Sequence, residues 1–235
     1  MKAFVLAAGL GTRLRPLTFK KPKPLIEING RPIIDYVLEW LVDQGIEEVI
    51  INLHYMPDMI KRYLSRRGEL GPKITYSYEK NILGTAGALK KKEKELRKTF
   101  LVACCDSLTN IDIKKAFAFH KNKKALATMI LKKIKSPQRY GIIGLDDQGR
   151  VCQFLNRYKG KEPEIKAVHT GIVILGPEVL KYIPSNKFYG LEKVYLQMLK
   201  KGDPLFGYPA GEFWHEVGSL KSLEEASRIA SKGLF

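Results

Sequence analysis

Ala3-Phe4-Val5-Leu6-Ala7-Ala8-Gly9-Leu10-Gly11-Thr12-Arg13-Leu14 is the stretch that decides the fold. Residues 2–8 read as a buried strand, which then breaks into a turn of small residues. Such a turn lets main-chain N–H groups face an anion without side-chain obstruction. Arg13 sits within it and Lys23 follows in Lys21-Pro22-Lys23-Pro24-Leu25, so fixed positive charge stands beside the turn. Together these features describe a socket for a triphosphate. It is neither of the two commonest phosphate loops. No Gly-Lys-Ser/Thr follows Gly9 or Gly11 at P-loop spacing. The dinucleotide fingerprint needs a third small residue where Leu14 stands, and Pro16, Pro22 and Pro24 argue against a long helix starting here.

Outward from this loop the apolar pattern alternates between strand and helix. Leu25–Ile28 reads as a short strand ending at the Asn29-Gly30 turn. Pro32 suits a first helical position; Ile33, Ile34, Val37, Leu38, Leu41 and Val42 then recur at helical spacing up to Gly45. Glu48–Leu53 is the next strand, Pro57 opens a helix to about Arg67, and Lys73–Tyr78 is a further strand. Phe100–Cys105 is an apolar strand running into Asp106. This alternation predicts a layered α/β sheet, parallel in its early part, with ligands beyond the carboxyl ends of the strands. The Gly9 loop and Asp106 both fall there. In the second half, Ala125–Lys133, Gly141–Leu145, Arg150–Leu155 and Ala167–Leu175 read as strands. Helices are expected at about 176–183, 190–201 and 220–231. With no repeat or flexible linker, residues 1–235 are expected to form a single domain with halves of about 1–120 and 121–235.

The chain of 235 residues is long enough for one well-buried core. Its 45% hydrophobic and 28% charged residues are those of a soluble globular protein. No apolar run approaches the ~20 residues that span a bilayer. The short apolar stretch after Lys2 enters the glycine loop directly, so no signal peptide and no membrane partner are expected. Cys104, Cys105 and Cys152 form neither a disulfide framework nor a spaced zinc motif, which favours a reducing, cytoplasmic setting. The net charge of +17 raises nucleic-acid binding as a rival reading. Yet the basic residues are scattered through clusters such as Lys90–Lys92 and Lys121–Lys124, without a nucleic-acid motif. They read as solvated faces, and no specific nucleic-acid partner is expected.

Met1 to Leu25 resembles the signature of the sugar-1-phosphate nucleotidyltransferases, the nucleotide-sugar pyrophosphorylases. The resemblance continues through Leu83-Gly84-Thr85-Ala86-Gly87-Ala88-Leu89 and the strand ending in Asp106, and it closes at Trp214-His215-Glu216-Val217-Gly218-Ser219. It implies a Rossmann-like layered α/β/α fold with a mostly parallel mixed central sheet. It also implies an enzyme joining a nucleoside triphosphate to a sugar 1-phosphate with release of pyrophosphate. On the nucleotide side it points to Ala8, Gly9, Gly11, Thr12, Arg13 and Lys23, with Glu79, Gly84 and Thr85 near the base. Thr85 is also expected to cap the helix beginning near Ala86. On the sugar-phosphate side it points to Asp106, Asn156, Arg157, Gly171, Glu192 and Lys193. Arg13, Lys23 and Asp106 would carry the catalysis. Asp106 and Glu216 would hold magnesium, Mg2+, which favours hard oxygen ligands.

Departures accompany the match. Glu216 stands where the family has aspartate, Asn156-Arg157-Tyr158 where it usually has Glu-Lys-Pro, and Cys104-Cys105 where Asn-Gly usually precedes the aspartate. Arg157 can still grip a phosphate bidentately. A carboxylate at Glu79 can accept from the N1–H and N2 amino edge of guanine but repels the O4 of uracil or thymine. With Gly190-Leu191-Glu192-Lys193, this inclines the reading to GTP and mannose 1-phosphate, near the mannose-1-phosphate guanylyltransferase branch. Uridylyl or thymidylyl transfer to another hexose 1-phosphate remains the alternative. So does a non-catalytic regulator that binds nucleotide sugars. Homo-oligomerisation stays open. The sequence ends soon after the closing helix, so the acetyltransferase or cupin-like extensions of some relatives are not expected.

Overall fold

The computed structural model describes residues 1–66, 71–134, 142–154, 157–158 (backbone only) and 165–233. In chain order, the elements are β1 (Lys2–Leu6), β2 (Glu27–Ile28), β3 (Arg31–Pro32), α1 (Ile33–Asp43), β4 (Glu48–Leu53), α2 (Pro57–Ser65) and β5 (Lys73–Tyr78). Then come α3 (Gly84–Lys91), β6 (Phe100–Cys104), β7 (Ser107–Thr109), α4 (Ile113–Asn122), β8 (Ala127–Lys132), β9 (Ile142–Leu145), β10 (Val151–Phe154) and β11 (Arg157–Tyr158). The remainder are β12 (Ile165–Leu175), α5 (Leu191–Lys201), β13 (Leu205–Pro209), β14 (Trp214–Glu216) and α6 (Leu220–Ala230). The chain has the mixed α/β fold expected of it, with parallel strands where the glycine loop lies. Two compact units are formed: one from Met1–Ile82, Ala103–Asn110 and Glu212–Phe235, the other from Leu83–Val102 and Ile111–Gly211.

In the first unit, β1 and β4 run parallel from Lys2↔Glu48 to Leu6↔Asn52, and β4 and β5 from Glu48↔Lys73 to Leu53↔Tyr78. Parallel neighbours need crossover connections, which the helices α1 and α2 supply. Of the predicted apolar stripe of α1, Ile33, Ile34, Val37, Leu38 and Leu41 are each at most 1% exposed, whereas Val42, one step round the helix from Leu41, is 44% exposed and lies off the buried face. Pro32 lies one residue outside this helix, at its N-cap. A satellite core gathers Ile26, Ile28, Ile33, Leu108, Val217 and Ala226. It ties the sequence-distant β7, β14 and α6 to the start of the chain.

The second unit is mainly antiparallel. Its long strand β12 pairs with β8 on one side and β9 on the other, β10 pairs with β9 and β11, and β13 adds parallel to β8. A register shift in β12 between His169 and Val173 coincides with Gly171 at φ +79°. Asp112 caps α4 by accepting the Lys115 N–H at 3.1 Å. The helix expected at 176–183 is a 3-10 run over Pro177–Tyr182. Among the described residues, no helix is long and apolar enough to cross a membrane.

Candidate active site

At the carboxyl end of β1, the chain enters the loop through buried Ala7 and Ala8. Nothing lies within 4 Å of the position a Cβ would take at Gly9. That gives the loop the open backbone surface expected of an anion cradle. Gly11 turns the chain at φ +63°, and its carbonyl accepts the Thr18 hydroxyl at 2.9 Å. Thr18 is itself held, since its carbonyl accepts the Tyr55 hydroxyl at 2.8 Å. The loop is therefore backed by two hydroxyl hydrogen bonds. Thr12 and Arg13 follow in a short 3-10 turn, Thr12–Leu14, which is anchored by buried Leu14.

Asp106 lies in the turn between β6 and β7, two residues past the end of β6. The Cys105 N–H donates to the Leu6 carbonyl at 3.1 Å, which places this turn beside the end of β1. Antiparallel β7 and β14 pair Ser107 with Glu216, and the Val217 N–H closes the ladder on the Asp106 carbonyl at 2.9 Å. Asp106 and Glu216 are thus brought together from over a hundred residues apart. Each carries a cationic partner. The Lys23 ammonium is ion-paired with Asp106 Oδ2, and Arg13 Nη2 with Glu216 Oε1 at 3.2 Å. Lys23 and Asp106 are mostly buried, whereas the Arg13 side chain is 69% exposed. The four catalytic and metal-binding residues of the sequence reading therefore converge within this unit as two balanced pairs.

Gly218 makes room for one of those pairs. A Cβ there would lie 2.7 Å from Glu216 Oε1 and 3.0 Å from Arg13 Nη2. The next residue, Ser219, caps α6 by accepting the Ser222 N–H at 3.2 Å, and the Ser222 hydroxyl in turn accepts the Ser219 N–H at 2.8 Å. The late motif thus supplies a carboxylate, a gap and a helix start in four residues.

The donor set suits a small hard cation. Asp106, in the turn before β7, and Glu216, at the end of β14, offer carboxylate oxygens, with cations already countering their charge. Burial, followed by the Asp106 carboxylate, pushes the thiols of Cys104 and Cys105 up. They remain neutral thiols and do not compete as soft thiolate ligands. Among the described residues, no group of three or more His, Cys, Asp or Glu side chains is assembled for a metal.

A buried relay that the sequence reading does not single out crosses the carboxyl ends of β1, β4 and β5. The Ala7 N–H donates to Asn52 Oδ1 at 2.7 Å, and Asn52 Nδ2 donates to Glu79 Oε1 at 2.8 Å. Because Ala7 can only donate there, the Asn52 amide has one orientation. Glu79 is 1% exposed, so its carboxylate is held inside the protein rather than in bulk water. The one available signal was Asn52 itself, a polar residue near the end of an otherwise apolar strand.

The second unit holds Gly84, Thr85, Gly171, Glu192 and Lys193. Thr85 does not cap α3: the N-cap residue is Leu83, with no side-chain bond. Its Oγ1 instead accepts the N–H of Leu191, the first residue of α5, at 2.8 Å. The expected cap is thus corrected, because a facing helix presents a better-placed donor. At Gly171 the main-chain N–H donates to His169 Nδ1 at 3.0 Å, and Thr170 Oγ1 donates to the Ile130 carbonyl at 2.8 Å. Burial pushes His169 down to about 4, so it is a neutral, packed imidazole at neutral pH. Asn156 lies outside the described residues, and of Arg157 only the backbone in β11 is described.

The nucleotidyl transferase family profile matches residues 2–233. The chain belongs to that family. Over 245 residues it is 34% identical to the UTP–glucose-1-phosphate uridylyltransferase of Synechocystis sp., covering 97% of this chain and 63% of that protein. Over 244 residues it is 34% identical to mannose-1-phosphate guanyltransferase 2 of Candida glabrata, covering 100% of this chain and 64% of that protein. It therefore spans less than two thirds of the length of these curated relatives. The solved structure of HddC from Yersinia pseudotuberculosis complexed with GMP-PN matches it with a TM-score of 0.81 at 25% identity. That match covers 97% of this chain and 99% of the HddC chain. The two curated relatives are named for different bases and sugars.

Proposed function

We propose that this chain transfers a nucleotidyl group to a sugar 1-phosphate, giving a nucleoside-diphosphate sugar and pyrophosphate, with GTP and mannose 1-phosphate as substrates. The observation that carries the reading is the pairing of Lys23 with Asp106 and of Arg13 with Glu216 beside the open Gly9 backbone, in a chain of this family. A phosphate oxygen of the sugar 1-phosphate attacks the α-phosphorus in line, the new P–O bond forms, and pyrophosphate leaves with the electron pair. The attacking oxygen is already anionic, so no general base is needed. What the protein must supply is alignment and charge.

Ala8, Gly9, Gly11 and Thr12 present backbone to the triphosphate, and Arg13 and Lys23 grip it and then the departing pyrophosphate. Asp106 and Glu216 hold magnesium, which when bound neutralises charge on the phosphate oxygens. Glu79, oriented by Asn52, favours the guanine edge. In the second unit, the residues that the resemblance assigns to the sugar phosphate are Gly171, Glu192 and Lys193, with Asn156 and Arg157. The relative from Candida glabrata supports the guanylyl reading; the relative from Synechocystis supports uridylyl transfer to glucose 1-phosphate as the second.

A matrix of four nucleoside triphosphates against several sugar 1-phosphates, followed by pyrophosphate release with and without magnesium, tests this. GTP with mannose 1-phosphate should turn over fastest, and chelation should stop it. Asp106→Asn and Glu216→Gln should each lower turnover by roughly 100-fold or more. Full activity in either variant would remove that carboxylate from the metal site.

A further inference from the structure

In the second unit, α3 and α5 satisfy each other's starts. The first N–H groups of a helix lack intrahelical acceptors and must find others. Neither helix has a side-chain cap of its own, since Leu83 precedes α3 and Gly190 precedes α5. The Tyr189 carbonyl accepts from the N–H groups of Ala86 at 2.9 Å and Gly87 at 3.1 Å. The Tyr189 N–H donates back to the Leu83 carbonyl at 2.8 Å. In return, Thr85 Oγ1 accepts the Leu191 N–H at 2.8 Å. The approach is close enough to require glycine. A Cβ on Gly84, which has φ +74°, would lie 2.7 Å from the Tyr189 oxygen, and one on Gly87 would lie 2.6 Å from the Lys187 oxygen. The glycines of this motif therefore seat the 187–189 backbone, whatever else they admit.

We propose that Thr85 is a positioning residue for the sugar phosphate, acting through Leu191 on Glu192 and Lys193 rather than on the nucleotide. This rests on the proposed reaction and on the sugar-side assignment of those two residues. Leu191 is the first residue of α5, so its N–H bond sets the direction in which 191–193 leave Gly190. That segment is already tightly fitted. The Glu192 side chain folds back so that any Cβ at Gly190 would run into its carboxylate. The Lys193 ammonium lies 5.4 Å from the centroid of the Tyr189 ring, and the Tyr189 hydroxyl accepts from Gln197 Nε2. Thr85 pins the start of α5, which has no side-chain cap from Gly190.

The test varies both substrates in the pyrophosphate-release assay for wild type, Thr85→Ser, Thr85→Ala and Thr85→Val. Removing Oγ1 in the alanine and valine variants should raise KM for mannose 1-phosphate roughly five- to tenfold, the size of one lost cap. KM for the nucleotide should stay within about twofold, and serine should restore the wild-type value. A rise confined to the nucleotide KM, an equal rise in both, or failure of serine to rescue would each overturn the proposal. Amide hydrogen exchange provides a readout independent of turnover: Leu191 to Lys193 should exchange faster in the alanine variant, and unchanged rates would also overturn it. If wild type turns over no substrate pair, the reaction itself is refuted and this role falls with it, whereas altered exchange would still show the cap.

Discussion

Glu216 reaches Arg13 only because Gly218 has no side chain. The carboxylate oxygen and the guanidinium nitrogen both lie within 3.0 Å of the place a Cβ would occupy. Gly218 is buried and its φ lies outside the left-handed region, so alanine is allowed there by the backbone and refused by the neighbours. Gly218→Ala should push the Arg13–Glu216 pair aside and lower kcat/KM by roughly tenfold or more, because charge neutralisation in phosphoryl transfer depends on position. Its folding midpoint should move far less than its activity, which a melt beside the pyrophosphate assay would show. An active Gly218→Ala enzyme would mean that the pair need not stay in place for catalysis. Glu216→Asp should do less harm than Glu216→Gln, since it keeps the charge and loses only reach.

Asp106 and Glu216 meet through two three-residue strands, β7 and β14, and strands this short carry no readable periodicity. The sequence therefore points to this carboxylate pair through resemblance and does not show what joins the two. The long elements were legible: Glu48–Leu53 and Lys73–Tyr78 match β4 and β5 to the residue, because an uninterrupted apolar or alternating run between turn residues has one good interpretation. The reading passes over α4, although Asp112 followed by Ile113, Ala116 and His120 carries both a cap and a helical stripe. It assigns Thr85 to its own helix because a local cap is the only kind one sequence window can display; the true acceptor relation spans 106 positions. By contrast, the Ser219 cap is local and carries a measurable share of the folding energy. Ser219→Ala should cost about 1 kcal/mol, read as a shift in the urea midpoint. Because α6 packs Ala226 against Val217 and Leu108, the same variant should also loosen the ladder that presents Glu216. An unchanged midpoint would mean that water replaces the cap without cost.

For the molecule as a whole, acid is the condition that adds charge where there is already too much. The chain carries a formal +17 at neutral pH, and each further proton raises self-repulsion in the compact state. Two histidines sharpen this. Burial holds His120 and His169 at about 4, well below their ordinary value of 6.5. His120 is 6% exposed, with Nδ1 2.8 Å from the Thr128 hydroxyl. Between pH 6.5 and 4 the unfolded chain binds a proton at each site that the folded chain refuses, so stability rises with pH across that window and falls on acidification. A depression of this size corresponds to at most about 3 kcal/mol per site. Chemical unfolding at pH 7.5, 6.0 and 5.0 isolates the effect, because ordinary carboxylates stay ionised over that range. The wild-type midpoint should fall steadily, and His120→Asn, although less stable at pH 7.5, should show a shallower fall. Parallel slopes for the two proteins would mean that His120 takes its proton in the folded state and that the helix–strand contact it fills opens to water.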